Sequence, residues 1–92
     1  EPKARAAATR VLCYSHHRVE DPLKLLQVQI NDEHPRVRLE ATRALSFFDG
    51  PAAEKAIEIA VEGLVHPQDD YLDYTMKETM ATLEGRVKRL AK

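Results

Sequence analysis

The sequence has one cysteine, no tryptophan and only three glycines among its 92 residues. A single cysteine, Cys13, cannot form an internal disulfide, so the sequence does not indicate a redox compartment. No apolar run approaches the ~18 residues that are typical of a membrane-spanning helix. The first ten residues, EPKARAAATR, have no apolar core of the kind found in a signal peptide. The chain therefore shows neither a disulfide-stapled fold nor a membrane segment.

An excess of positive charge is also missing. Fourteen Lys and Arg residues face fifteen Asp and Glu residues, which gives a net charge of −1. Dedicated nucleic-acid binders usually carry a strong basic excess, so this balance argues against one while leaving a local basic face possible. With 43% hydrophobic and 32% charged residues, the composition is that of an ordinary soluble chain, and its length fits one small domain.

What the sequence does have is an internal repeat. Shifted by 33 positions, EPKARAAATRVLCYS lies on HPRVRLEATRALSFF with seven good matches in fifteen pairs. The matches are Pro2/Pro35, Arg5/Arg38, Ala8/Ala41, Thr9/Thr42, Arg10/Arg43, Leu12/Leu45 and Tyr14/Phe47. A weaker third copy, at an offset of 35, places Leu72, Met76 and Met80 on Val37, Ala41 and Leu45. Such a period indicates a helical repeat in which each copy is one helix–turn–helix unit.

The patterns predict five helices, near residues 2–15, 21–31, 35–48, 51–65 and 70–84. Asp-Pro, His-Pro and Gly-Pro pairs precede three of them, and proline is favoured at the first helical position because it has no N–H to leave unpaired. Asp69 or Asp70 is a candidate cap for the last helix, and Gly50 and Gly85 are candidate stops. No segment alternates with the period of two that marks a strand.

The segment 53–65 has apolar residues on two faces of one helix. One face carries Ala53, Ile57, Ala60, Val61 and Leu64, and the other carries Ala56, Ile59 and Gly63. Only Glu54, Glu58 and Glu62 form a clear polar stripe. A helix with two apolar faces requires neighbours on two sides, as in stacked repeats. The predicted fold is therefore all-α, an α-solenoid of stacked antiparallel helix pairs.

The stretch DEHPRVRLEATRAL resembles the HEAT repeat, in particular its short bacterial type. Asp32, Val37, Arg38, Ala41 and Leu45 match the family pattern of an Asp in the turn followed by Val-Arg, Ala and Leu on the second helix. In that family the Asp and the Arg form a hydrogen-bonded ladder between neighbouring repeats. The resemblance implies this role for Asp32 and Arg38, and for Arg5 through its alignment. The third copy departs from the pattern, because Asp73 stands where the arginine should be.

A narrower resemblance concerns RVLCY, DEHPRVRLEA and DDYLDYTMKETMATLE, which look like the HEAT segment of large secreted planctomycete-type proteins. Those proteins combine a sorbosone-dehydrogenase-like propeller, HEAT repeats and a c-type cytochrome domain. The likeness implies a fragment of a longer oxidoreductase with a periplasmic or secreted location. Because of the repeat and the helix with two apolar faces, we expect the chain itself, one repeat domain over 1–92, to be a non-catalytic scaffold without a cofactor.

Two groups of residues are candidates for chemistry. Cys13 with His16 or His17 gives a metal-like spacing, but a structural zinc site needs four ligands and haem attachment needs Cys-x-x-Cys-His. We therefore predict no metal site. The second group is a candidate docking surface for a neighbouring repeat, domain or partner protein. Its residues are Leu39, Arg43, Arg10, Tyr71 and Tyr74.

The alternative from another class is a nucleic-acid-binding repeat protein similar to HEAT-like DNA glycosylases. It requires a basic concave surface and a base-sized pocket with an Asp or an aromatic residue, and the sequence supplies neither clearly. Arg38 and Arg43 fall on opposite flanks of their helix, so they do not form one basic face. We expect no catalytic residues and no membrane contact in this chain.

Overall fold

The computed structural model describes residues 2–4 and 21–90. It contains α1 (Pro22–Ile30), α2 (Pro35–Leu45), α3 (Ala52–Glu62), a short 3-10 helix (Gly63–Val65) and α4 (Asp70–Leu90). Residues 2–4 are helical as well, while most of the helix predicted over 2–15 lies outside the described residues. No strand occurs in the described ranges. The all-α prediction is confirmed.

The helices are arranged in two layers. α1 and α3 pack against each other, α2 packs against α4, and each pair in sequence, α1–α2 and α3–α4, is joined by a short connection and packs together. This is the stacking of antiparallel helix pairs expected for an α-solenoid. Within the part of the chain that the structure covers, no helix is long and apolar enough to cross a membrane.

Local chemistry explains where the helices begin. Pro22 and Pro35 occupy the first turn of α1 and α2, as predicted. The His34 ring accepts the main-chain N–H of Arg36 at Nδ1 (3.1 Å) and so caps α2. Oδ1 of Asp69 accepts the main-chain N–H of Leu72 (2.8 Å). Each cap pairs one of the N–H groups that a helix leaves free in its first turn.

The end of α2 differs from the prediction. α2 ends at Leu45, three residues before the predicted end at 48. The N–H groups of residues 46, 47 and 48 bond to carbonyls three residues earlier, which tightens the last turn. Gly50 then adopts a φ of 58° in the connection, a conformation that glycine accepts without steric cost.

The prediction that α4 stops at Gly85 is wrong. The helix continues to Leu90, because its last turns are held by their own contacts. Val87 packs against the core, and the Arg86 guanidinium bonds to the end of α2. Apart from the backbone of its own helix, no described residue comes within 4 Å of the position of a Cβ at Gly85, so no close neighbour among them requires glycine there.

The core lies between the layers, and every helix from α1 to α4 contributes to it. Its buried members are Leu26, Ile30, Ala41, Ala44, Leu45, Phe48, Ala53, Ala56, Ile59, Ala60, Met76 and Leu83. Gly63 allows the end of α3 to approach α1 closely, since a Cβ there would lie 2.9 Å from Ile30 Cγ1. The second predicted face of α3 is thus buried, whereas Val61 and Leu64 of the first face remain exposed.

Candidate protein-docking surface

Arg38 joins the connections of two successive repeats. Its side chain is only 4% exposed. Nη1 donates to the main-chain oxygen of Asp32 (2.8 Å) and Nη2 donates to the main-chain oxygen of Pro67 (3.1 Å). Nε is buried and has no hydrogen-bond partner within the described residues. A buried guanidinium is costly unless it is hydrogen-bonded, so these two bonds fix the spacing of the 31–34 and 66–69 connections.

The Asp32 carboxylate accepts a hydrogen bond within its own turn. Its Oδ1 accepts the main-chain N–H of His34 at 2.9 Å, and the bond from Arg38 goes to the main-chain oxygen of Asp32 rather than to the carboxylate. Arg5, the third predicted ladder residue, lies outside the described residues. Asp73, in the third copy, pairs with Lys77 on its own helix at 2.9 Å. The carboxylate–guanidinium ladder stays a prediction.

Two side chains of α4 bond to the main chain of α2 and of the residues that follow its end. Thr79 Oγ1 donates to the carbonyl of Thr42 (3.2 Å), between two buried residues. Nη1 of Arg86 donates to the carbonyls of Ser46 and Phe48, the latter at 2.7 Å. Sequence reasoning missed both donors. Arg86 follows the predicted helix end, and Thr79 has no charge or spacing that would mark it.

A polar network joins the first helices of the two repeats. Glu62 accepts from the side-chain amides of Gln27 (2.6 Å) and Asn31 (3.2 Å). The Asn31 oxygen then accepts from Nε2 of His66 at 2.8 Å. The amide of Asn31 donates to Glu62, which leaves its oxygen as the acceptor and fixes the donor role of His66. Side-chain hydrogen bonds therefore join α1 and α3 at the ends of these two helices.

The outward surface of α2 and α4 contains a cleft of about 320 Å³. Its lining residues are Arg43, Ser46, Tyr74, Thr75, Glu78, Thr79 and Thr82. Two residues of the predicted docking surface, Arg43 and Tyr74, are thus brought together. Tyr71 lies on α4 three residues before Tyr74, Leu39 is half-buried on α2, and Arg10 lies outside the described residues. We call this region the α2–α4 cleft.

Arg43 is partly neutralised. Its Nη1 lies 3.4 Å from Glu40 Oε1, and Nε of Arg36 lies 3.6 Å from the same oxygen. Glu40 is only 1% exposed, so its carboxylate is held beneath the two exposed arginines. Two exposed arginines therefore share one buried carboxylate, and of the three side chains only Arg43 lines the cleft.

A second cleft, of about 390 Å³, lies beside the connection that Arg38 braces. It is lined by Glu33, Pro35, Arg38, His66, Pro67, Gln68 and Asp69. The Arg38 guanidinium at its wall is already bonded to two carbonyls. Among the described residues, no three His, Cys, Asp or Glu side chains are placed to hold a metal ion. Cys13, His16 and His17 lie outside those residues.

Comparison with known proteins identifies the repeat. A family model described as HEAT repeats matches residues 1–81. No curated protein and no solved structure matches the chain. The match concerns the repeat and does not bear on the narrower likeness to planctomycete-type secreted proteins. HEAT repeats generally act as protein-interaction scaffolds and are generally non-catalytic. With more than half of its length matched, this chain belongs to the HEAT-repeat family.

Proposed function

We propose that the chain is a non-catalytic scaffold whose α2–α4 cleft docks another protein or a neighbouring domain of the same polypeptide. One observation carries the proposal. Tyr71 and Tyr74 are 78% and 66% exposed on a helix that is otherwise fastened to its neighbour. Aromatic side chains are enriched at protein interfaces, where they bury a large area at a low entropic cost.

Hydrogen bonds between α2 and α4 hold the walls of the cleft in place, which supports a docking role. Thr79 lines the cleft and at the same time bonds across to α2. Arg86 bonds to the carbonyl of Ser46, which also lines the cleft, and so holds the end of α2. A surface fixed in this way loses little further freedom on binding, which favours affinity.

Site-specific photo-cross-linking tests the proposal. A photoreactive phenylalanine analogue is placed at Tyr74 of the intact protein in the cells that produce it, and the matched control carries it at Glu58. Glu58 is exposed on α3 and its side chain does not line the cleft. We expect a defined adduct, to one protein or to another segment of the same polypeptide, from position 74 alone. Equal adducts from both positions, or none from position 74, would contradict the proposal.

We also propose that the parent protein is a secreted redox protein, on the basis of the likeness of RVLCY, DEHPRVRLEA and DDYLDYTMKETMATLE stated above. The surrounding open reading frame tests this context. A secretion signal upstream and a Cys-x-x-Cys-His motif downstream support it. A short intracellular reading frame contradicts it. Stoichiometric metal or haem in the purified chain would contradict the scaffold role itself.

A further inference from the structure

We propose that the surface formed by Asp70, Tyr71, Tyr74 and Glu78 on α4 binds an arginine- or lysine-rich segment of the docked protein. We call these four residues the tyrosine face. The proposal rests on the docking function proposed above and specifies the chemistry of the partner. It is carried by the combination of two exposed aromatic rings with carboxylates on one side of a single helix.

The four side chains share the outward side of α4. Tyr71, Tyr74 and Glu78 follow one another at spacings of three and four residues, which places them on one face of a helix. All four residues are exposed, whereas Leu72, Met76 and Leu83 occupy the buried side. The tyrosine face therefore presents its rings and carboxylates together to solvent.

Rings and carboxylates in this arrangement suit a cation. The face of a tyrosine ring attracts an ammonium or guanidinium group, and arginine also stacks flat on it. Carboxylates beside the rings add charge-assisted hydrogen bonds. The neighbouring cation of α4, Lys77, pairs with Asp73 at 2.9 Å and does not neutralise Glu78. The charge of the face is thus complementary to a basic segment.

The helix N-terminus accounts for one of the two acids, Asp70, but not for Glu78. Asp70 lies in the first turn of α4, where a carboxylate stabilises the free N–H groups. Glu78 lies in the middle of the 21-residue helix, where this effect has faded. At the offset of 35 it takes the position of Arg43, so the outward charge changes sign between the two repeats.

This change of sign is expected to set the direction in which a bound segment lies across the cleft. Arg43 and Glu78 line the same cleft from α2 and α4. A basic side chain is therefore expected over the α4 wall, beside Tyr74 and Glu78, while backbone carbonyls or a carboxylate of the same segment face Arg43. A purely acidic segment would meet Glu78 and Asp70 instead and is disfavoured.

Titration with peptide probes tests the assignment. The probe is a short fluorescein-labelled peptide of arginine, glycine and serine, and the matched probe carries glutamate in place of arginine. We expect the arginine probe to bind the chain, to bind more weakly as salt rises from about 50 to 150 mM, and to shift the amide resonances of residues 70–82. The glutamate probe is expected to leave those resonances unchanged.

Substitutions on the tyrosine face distinguish a contact with the tyrosine rings from general attraction between opposite charges. Tyr71→Leu and Tyr74→Leu keep an apolar side chain but remove the ring, and each is expected to raise the Kd about two- to fivefold, the size of an exposed cation–π contact. Glu78→Gln is expected to weaken binding, whereas Glu58→Gln, which removes the same charge from exposed α3, is expected to leave it unchanged. All four positions are exposed, so folding is expected to be preserved and is checked by circular dichroism.

The inference is overturned if the arginine probe fails to bind, if both probes bind equally, if the leucine variants bind as the wild type does, or if Glu58→Gln weakens binding as much as Glu78→Gln. If a specific cross-link forms from position 74 but any of these results is obtained, the docking proposal holds and only the proposal of a basic ligand is wrong. Loss of the cross-link, with the probe still bound at residues 70–82, would remove the docking function instead.

Discussion

At the scale of single residues, Arg38 has an unusual position for a charged side chain. It is almost completely buried, and its guanidinium donates to two main-chain oxygens, one in each of two successive connections. The resemblance to HEAT repeats implied a role for Arg38 between repeats, together with Asp32. The two main-chain acceptors could not be predicted from the sequence, because any residue at positions 32 and 67 would offer the same carbonyl.

Arg38→Met tests how much this contact stabilises the fold. Methionine keeps most of the apolar stem but removes the donors, so the carbonyls of Asp32 and Pro67 each lose a bond. We expect the free energy of unfolding to fall by about 2 kcal/mol, measured by urea denaturation. Lys55→Met is the control, since its pair with Glu58 is exposed, and we expect a change within about 0.5 kcal/mol. An Arg38→Met variant as stable as the wild type would contradict the role of Arg38.

At the scale of the helices, repetition and proline predicted most of what the structure contains. The offset copies placed α2 and α4, and proline marked the start of α1 and α2. The residues at which helices end were harder to predict, because they depend on contacts with residues that are distant in the sequence. Gly85 has the local signal of a stop, but the bonds of Arg86 to the end of α2 and the packing of Val87 carry the helix past it.

Two glycines of the helical region are expected to respond oppositely to alanine. At Gly63 the new methyl group would lie 2.9 Å from Ile30 Cγ1, a crowding that outweighs the gain in helix propensity. We expect Gly63→Ala to destabilise the fold by about 1 kcal/mol. At Gly85 the site is open and helical, so Gly85→Ala is expected to stabilise by about 0.5–1 kcal/mol.

Thermal and urea unfolding of the two variants, side by side, check this pair. If Gly63→Ala raised stability as Gly85→Ala does, α1 and the end of α3 would not be in the close contact described. If Gly85→Ala lowered stability, the continuation of α4 through residue 85 would be in doubt.

At the scale of the whole molecule, charge is distributed so that neither sign dominates. The net charge is −1, Arg38 is buried, and Arg43 shares a buried carboxylate with Arg36. The candidate site was only partly predictable from the sequence, because its residues come from two helices. The repeat indicated which positions face outward, but only the packing of α2 on α4 brings Arg43 and Tyr74 to one cleft.

This distribution predicts weak attraction to nucleic acid. Contacts to phosphate are strongest at low salt, so a mobility-shift or anisotropy assay at about 50 mM salt is the most sensitive condition. We expect no binding of double- or single-stranded DNA by the chain in that assay. Binding that falls steeply as salt rises, and that is lost in an Arg43→Gln variant, would instead favour the nucleic-acid alternative.

The hydrogen bonds made by Arg38, Thr79 and Arg86 also bear on how such repeats can diverge. Donors at Arg38, Thr79 and Arg86 all end on main-chain oxygens. An acceptor of this kind is supplied by every amino acid, so mutation of the receiving positions leaves the bond available, whereas mutation of a donor removes it. The two sides of these bonds are therefore constrained differently in evolution. The few donor side chains must be kept, whereas the side chains at the accepting positions can change without loss of the bond.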